Sequence, residues 1–226
     1  PVNHVLFGVY GGIHRPITMI VTDSCNISVN DFASSGVYIT HKNVSAKSAD
    51  ISIKVKLDNG GLHPTSLVLE NSIFSKDGKQ IASFEGQKVS IAPGQDALLK
   101  ASKALTGLHF WSWGYGYLYR VKTIVNNDTV TTMTGFRKTE YGKGLFRLND
   151  RVMMIHGFAQ RTSNEWPGVG MSVPAWLSDY SNNLMVKGGG NLVRWMHITP
   201  WKQDVESCDR VGLIQAMPAG DAEADV

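Results

Sequence analysis

The stretch Asp50-Ile51-Ser52-Ile53-Lys54-Val55-Lys56-Leu57, closed by Asp58-Asn59-Gly60-Gly61, decides how most of this chain folds. Polar and apolar residues alternate without a break from Asp50 to Leu57. One side of the extended chain is therefore apolar and the other wet, which is the pattern of a half-buried β-strand. The Asp-Asn-Gly-Gly that follows reverses the chain. Similar stretches lie on both sides: Val37-Tyr38-Ile39-Thr40, Ser66-Leu67-Val68-Leu69-Glu70 and Tyr117-Leu118-Tyr119-Arg120-Val121. Lys76-Asp77-Gly78-Lys79, Ala92-Pro93-Gly94 and Asn126-Asn127-Asp128 separate them as turns. Residues 23–138 are thus expected to hold about seven short strands, the density of an immunoglobulin-like β-sandwich, fibronectin-like because no cysteine pair is present.

Upstream, Val5–Tyr10 and Ile17–Thr22 read as two strands joined at Gly11-Gly12. Two strands do not hold themselves together, so residues 1–22 are expected to be the end of a domain that begins elsewhere. Downstream the grammar changes. Val152–Phe158 is a continuous apolar run, expected to be a strand buried on both faces. Ser172–Lys187 has helical spacing, with Pro174 in the first turn and Trp176 in the core. Gly188-Gly189-Gly190 ends that helix, and Asn191–His197 follows as a second buried strand. Gln203–Val211 reads as a helix ended by Gly212, and Leu213–Met217 as a third strand. The order βαβαβ predicts a parallel sheet with right-handed crossovers. Residues 139–226 are therefore expected to be the start of an α/β domain that this chain does not finish.

Composition narrows the function classes. With 226 residues, 42% hydrophobic and 18% charged, the chain has enough apolar surface for packed cores. The net charge of +3 is scattered, with no basic run, so no nucleic-acid partner is expected. No apolar stretch is long enough to span a membrane. Cys25 and Cys208 lie far apart, so neither a disulfide framework nor a cysteine zinc site is expected. The compartment stays open, a periplasmic or extracellular one included.

Four segments together resemble glycoside hydrolase family 2, which includes β-galactosidases, β-glucuronidases and β-mannosidases. Tyr10-Gly11-Gly12-Ile13-His14-Arg15-Pro16-Ile17 is similar to the end of that family's sugar-binding jelly roll. Phe110-Trp111-Ser112-Trp113, followed by Tyr117-Leu118-Tyr119, is similar to its Leu-Trp-Ser-Pro … Leu-Tyr stretch. Gly135-Phe136-Arg137-Lys138 and Phe146-Arg147-Leu148-Asn149-Asp150 resemble the approach to its catalytic barrel. Asn191–His197 with Pro200, then Cys208–Ile214, resemble the second barrel strand and the start of the third. Trp195-Met196 and Ile198-Thr199 depart from the small residues common in the family, and the loop Gly157–Thr162 lacks a histidine that many β-galactosidases carry.

The resemblance implies three parts: the end of a jelly roll at 1–22, an immunoglobulin-like sandwich at 23–138, and the first three βα units of a (β/α)8 barrel at 139–226. It implies a retaining exo-glycosidase, nearest to β-galactosidases, with a carbohydrate substrate, two catalytic glutamates and no cofactor or metal. Those glutamates follow the family's fourth and seventh strands and are expected beyond Val226, so this chain alone is expected to be inactive. Homo-oligomerisation is left open.

Six residues are site candidates. Arg194, at the end of a strand expected to be buried, needs a carboxylate partner or a site to serve. The resemblance implies that it contacts the nucleophile carboxylate, and that His197 contacts a substrate hydroxyl. Trp166 and Trp201 lie in expected βα loops, where a flat ring stacks on a sugar. Arg161 and Asp221 follow the first and third strands as candidates for hydroxyl contacts. The alternative for each is structural: an ion pair for Arg194, a satisfied polar residue for His197, solvated loop charges for the others. His156, inside the first expected strand, is read as structural. No Gly-x-Ser-x-Gly or His-Glu-x-x-His occurs, which argues against serine hydrolases and zincins. Two other readings of the chain remain: a non-catalytic carbohydrate-binding or adhesion protein of the same fold, or a folding or interaction module.

Overall fold

The computed structural model describes residues 12–13, 16–32, 34–161, 169, 172–196 and 199–218. The chain forms two compact units, one of Ile20–Phe110 with Tyr117–Thr139, the other of Pro1–Met19, Trp111–Gly116 and Glu140–Val226.

The first unit is a β-sandwich. One sheet centres on β3 (Ser48–Asn59), paired antiparallel on one side with β8 (Asp96–Thr106) and on the other with β2 (Val37–Lys42) and β1 (Cys25–Ile27). The second sheet runs β10 (Asp128–Thr134), β9 (Tyr119–Val125), β5 (Leu69–Phe74), β6 (Gln80–Glu85), also antiparallel. A short pair, β4 (Thr65–Leu67) with β7 (Val89–Ile91), completes it. The alternation in β3 does what it predicts. Ile51, Ile53, Val55 and Leu57 are fully buried, together with Leu69 and Ile73 of β5 and Val121 of β9. Each such side chain contributes about 1.5–3 kcal/mol by leaving water. Asn59 holds the turn after β3, donating to the carbonyls of His63 at 3.0 Å and Ile91 at 2.9 Å and accepting from Gly61 N at 3.0 Å.

Three expectations change here. Ten strands, not about seven, lie among the described residues of this unit. Ser66–Glu70 is not one strand, because Val68 is where the chain leaves β4 for β5 in another sheet. Ile17–Thr22 forms no strand: no ladder partner lies beside it among the described residues, and Ile17, Met19 and Val21 are exposed. Val5–Tyr10 lies outside the described residues.

After the sandwich come β11 (Thr139–Gly142), β12 (Leu145–Leu148) and β13 (Arg151–Val152), adjacent in that order. Both links, Lys143-Gly144 and Asn149-Asp150, have two residues at positive φ, the tight turn whose twist suits a hairpin. A parallel sheet follows, β14 (Gly157–Gln160), β15 (Leu192–Trp195) and β16 (Ile214–Ala216), connected through α1 (Ala175–Lys187) and α2 (Lys202–Val211). Gly212 ends α2 at φ 79°, its N–H bonded to Cys208 O, a left-handed cap that favours glycine.

The apolar run Val152–Phe158 is not a buried strand. Strand β13 ends at Val152, β14 starts at Gly157, and Met154 and Phe158 are exposed. The gap is held by a side chain in place of a ladder: Asn191 accepts from His156 N at 2.9 Å and donates to Met154 O at 2.7 Å. Helix α1 starts three residues later than expected, with Pro174 as its cap. Trp176 is 68% exposed and is not core. The helix buries Leu177, Ser178 and Asn182 instead, and the two polar ones face α2: Ser178 Oγ donates to Asp204 Oδ1 at 2.7 Å and Asn182 Nδ2 to Ser207 Oγ at 2.9 Å.

Candidate functional site

The two faces of the parallel sheet differ sharply. In register, Phe158, Val193 and Gln215 share one face, and Gln160 with Trp195 continues it. That face carries the helices. Val193 and Trp195 pack with Cys208, Leu213, Met185, Val186 and Val211 in one apolar cluster. Trp195 Nε1 donates to Gln215 Oε1 at 3.0 Å, Gln215 Nε2 to Val205 O at 3.3 Å, and Gln160 Nε2 to Ser181 Oγ at 3.3 Å. Both crossovers lie on this side.

The opposite face carries no helix among the described residues and holds the row Ala159, Arg194, Ala216. Two alanines leave room on both sides of the one long side chain between them. Arg194 is exposed, not buried as the sequence suggests, and its Nη1 donates to Met196 Sδ at 3.5 Å. The reason is alternation: Val193 and Trp195 take the packed face, so Arg194 must take the other. A guanidinium here can grip a carboxylate through paired N–H groups and favour its ionised form.

Arg161 follows the last residue of β14 and is half-buried; Met196 N donates to Gln160 O at 3.0 Å, so it stands at the same end of the sheet as Arg194. Trp201 is half-buried at the cap of α2, in the loop after β15. His197, Trp166 and Asp221 lie outside the described residues. No cluster of three or more His, Cys, Asp or Glu able to hold a metal occurs among the described residues. Burial pushes the Cys208 thiol well above its ordinary range, so it is not a nucleophile.

A segment that the sequence singled out only by resemblance has a structural role that sequence reasoning missed. Trp111–Gly116 interrupts the run between β8 and β9 and belongs to the second unit. It is a tight hairpin in which Ser112 and Tyr115 exchange backbone hydrogen bonds at 3.0 Å. Trp111 is buried; its Nε1 donates to Asp209 O at 2.8 Å and its carbonyl accepts from Asn149 Nδ2 at 3.0 Å. The signal was present: two tryptophans two positions apart, then Gly114 and Gly116, make a stiff ring-bearing hairpin.

Comparison with known proteins gives a consistent result. The profile described as Glycosyl hydrolases family 2 matches residues 35–137. A β-glucuronidase from Formosa agariphila is 28% identical over 96% of this chain and 23% of its own length. A β-galactosidase from Thermoanaerobacterium thermosulfurigenes is 23% identical over 91% of this chain and 28% of its own. Among solved structures, a candidate β-galactosidase from Bacteroides fragilis superposes with a TM-score of 0.82 at 36% identity, over 95% of this chain and 32% of that one. The chain therefore spans about a quarter to a third of these relatives.

Proposed function

From a sandwich whose residues 35–137 match the profile of glycosyl hydrolases family 2, we propose that the chain is part of an enzyme that hydrolyses β-glycosides from their non-reducing ends with retention. Residues 1–22 would end a jelly roll, 23–138 form the immunoglobulin-like spacer, and 139–226 begin a (β/α)8 barrel. The observation that carries this reading is the one-sided sheet. Parallel strands with both crossovers on one face, and Arg194 between Ala159 and Ala216 on the other, support the reading of a barrel wall whose inner side carries the site.

In that barrel Arg194 is a positioning residue for the nucleophile carboxylate, and His197, Arg161, Trp166, Trp201 and Asp221 contact the sugar. The two carboxyl groups, separated by about 5–5.5 Å in retaining enzymes, come from strands other than β14–β16. The names of the relatives support two sugars, β-galactoside and β-glucuronide. Assaying the intact protein on nitrophenyl β-glycosides tests the reading: turnover of one of these two sugars is expected, and the 226-residue chain alone should turn over none. Sugar binding by the intact protein without hydrolysis of any glycoside would favour a non-catalytic carbohydrate-binding protein instead.

A further inference from the structure

We propose that the sandwich carries a carbohydrate subsite of its own, between the β5–β6 turn and the segments flanking residues 107–119. A cavity of about 460 Å3 opens there, lined by Lys76, Asp77, Ile81, Thr106, His109 and Tyr117 among others. That lies within the roughly 300–1,000 Å3 range of small-molecule sites.

One wall is aromatic and rigid. The His109 ring stacks on Tyr117, centroids 4.8 Å apart and planes 21° from parallel. Tyr117 rests in turn against Tyr119, 5.0 Å away. Tyr119 is buried, and its hydroxyl accepts from His109 N at 2.7 Å, so the stack is anchored from beneath. His109 itself is exposed, which leaves a ring face for a ligand on the side away from Tyr117.

The rim is polar and set by the turn. Lys76 N donates to the Tyr117 hydroxyl at 3.4 Å, tying the turn to the aromatic wall. The Ser75 hydroxyl donates to the Asp77 carboxylate. That bond, with backbone N–H groups of the turn, holds the Asp77 carboxyl below its ordinary range and keeps it an acceptor at neutral pH. Lys76, Asp77 and Thr106 are exposed, so an ammonium, a carboxylate and a hydroxyl edge the opening.

A pyranose matches this set. Its C–H face suits the ring, and its hydroxyls both donate to Asp77 and accept from Lys76 and Thr106. A wholly apolar ligand would strip water from two charges without replacing it, and a simple anion would meet Asp77. The ligand class is therefore a hexopyranose unit of an oligosaccharide. Only the choice of probe sugars rests on the glycosidase reading.

The test is an NMR titration of the 226-residue chain with galactotriose and, separately, with a glucuronyl-terminated disaccharide. Saturable shifts at His109, Thr106 and the Lys76 amide are expected with at least one sugar. His109→Ala should weaken that binding about tenfold, the loss of one aromatic contact. Salt should weaken only the uronyl sugar, through Lys76. Should His109→Ala disturb the fold, Lys76→Ala on the exposed turn carries the test, with weaker binding expected. No saturable shift with either sugar, or binding that both variants leave intact, overturns the subsite. Absence of turnover in the intact wild type would defeat the glycosidase reading alone.

Discussion

The indole N–H of Trp113 donates to the carbonyl of Gly190 at 2.8 Å, tying the 111–116 hairpin to the glycine turn that follows α1. Trp111, two residues earlier, does the same for Asp209 in the last turn of α2. The final carbonyls of a helix have no partner within it, and those left in buried surroundings need a donor from elsewhere. Trp111 supplies one at the end of α2, while Trp113 fixes Gly190, three residues past the end of α1. What resembled a family signature in the sequence is thus a clasp on the last turn of α2 and on the glycine turn after α1.

Trp111 is 6% exposed, so truncating it loses both the ring's packing and the bond to Asp209. Trp111→Ala should destabilise the second unit by about 3–5 kcal/mol. Trp113→Phe, which removes only a partly exposed N–H, should cost about 0.5–1.5 kcal/mol. Urea unfolding followed by tryptophan fluorescence checks both, because Ile20–Phe110 and Tyr117–Thr139 contain no tryptophan. Equal midpoints for the wild type and Trp111→Ala would remove the anchoring role.

Gly116 matters for a different reason, close approach. A Cβ there would lie 2.0 Å from Arg210 O and 2.6 Å from Asp209 O, backbone atoms of the helix that Trp111 caps. Gly116→Ala must push the hairpin off α2, and should cost more than Trp113→Phe. Gly94 makes the control: its φ is +70° but nothing lies within 4 Å of the added carbon. Gly94→Ala then carries only the strain of a left-handed alanine, about 1–2 kcal/mol. Thermal melts of the two variants should separate in that order, and equal shifts would contradict the contact.

How legible this was in the sequence depends on what held each segment. Strand β3 was readable because its ladder partners and its buried face obey the same two-residue period. Helix α2 was readable because Gly212 stops it. Residues 152–158 were not, because the side chain of Asn191, some 35 positions away, replaces the ladder the apolar run suggested. Trp176 was misplaced since the side of α1 that is buried carries Ser178 and Asn182 as well as Leu177, and hydrophobic spacing is blind to the polar part of a helix contact. Arg194 was assigned the right strand and the wrong environment: alternation gave its face, but only the three-strand register shows that Ala159 and Ala216 flank it.

Asp31 gives the sandwich a pH dependence whose sign is determined. Its carboxylate accepts from the Tyr38 hydroxyl and, at 3.2 Å, from the Lys56 ammonium. Tyr38 first, with Lys56 adding to it, holds the Asp31 carboxyl below the ordinary aspartate range. A lowered folded-state value means that the contribution is complete above the unfolded-state value, about 3.9, and is lost as pH falls through the folded one. Lys56 is raised by the same pair, so its contribution fades only as pH climbs past its ordinary value of about 10.4. Asp31→Asn should melt lower than the wild type at neutral pH, and the two curves should converge below the ordinary aspartate range. A gap that persists unchanged into strong acid would show that the ion pair is not its source.

The proposed role of Arg194 is tested by separating what it does for the fold from what it does for a carboxylate. Its side chain is exposed, and substitutions at exposed positions usually change stability by no more than about 0.5 kcal/mol. Arg194→Gln should therefore leave the melting temperature of the intact protein nearly unchanged. If the guanidinium orients and helps ionise the nucleophile, the same change removes a preorganised charge, and kcat should fall about 100–1000-fold. The nucleophile's pKa should rise without its cation, so the acidic limb of the kcat/KM profile should move to higher pH. Arg194→Lys should restore that limb in part, because the charge returns, but less of the rate, because an ammonium cannot make the paired planar contact. A merely structural arginine would do the reverse: the melting point would fall and the pH profile would stay where it was.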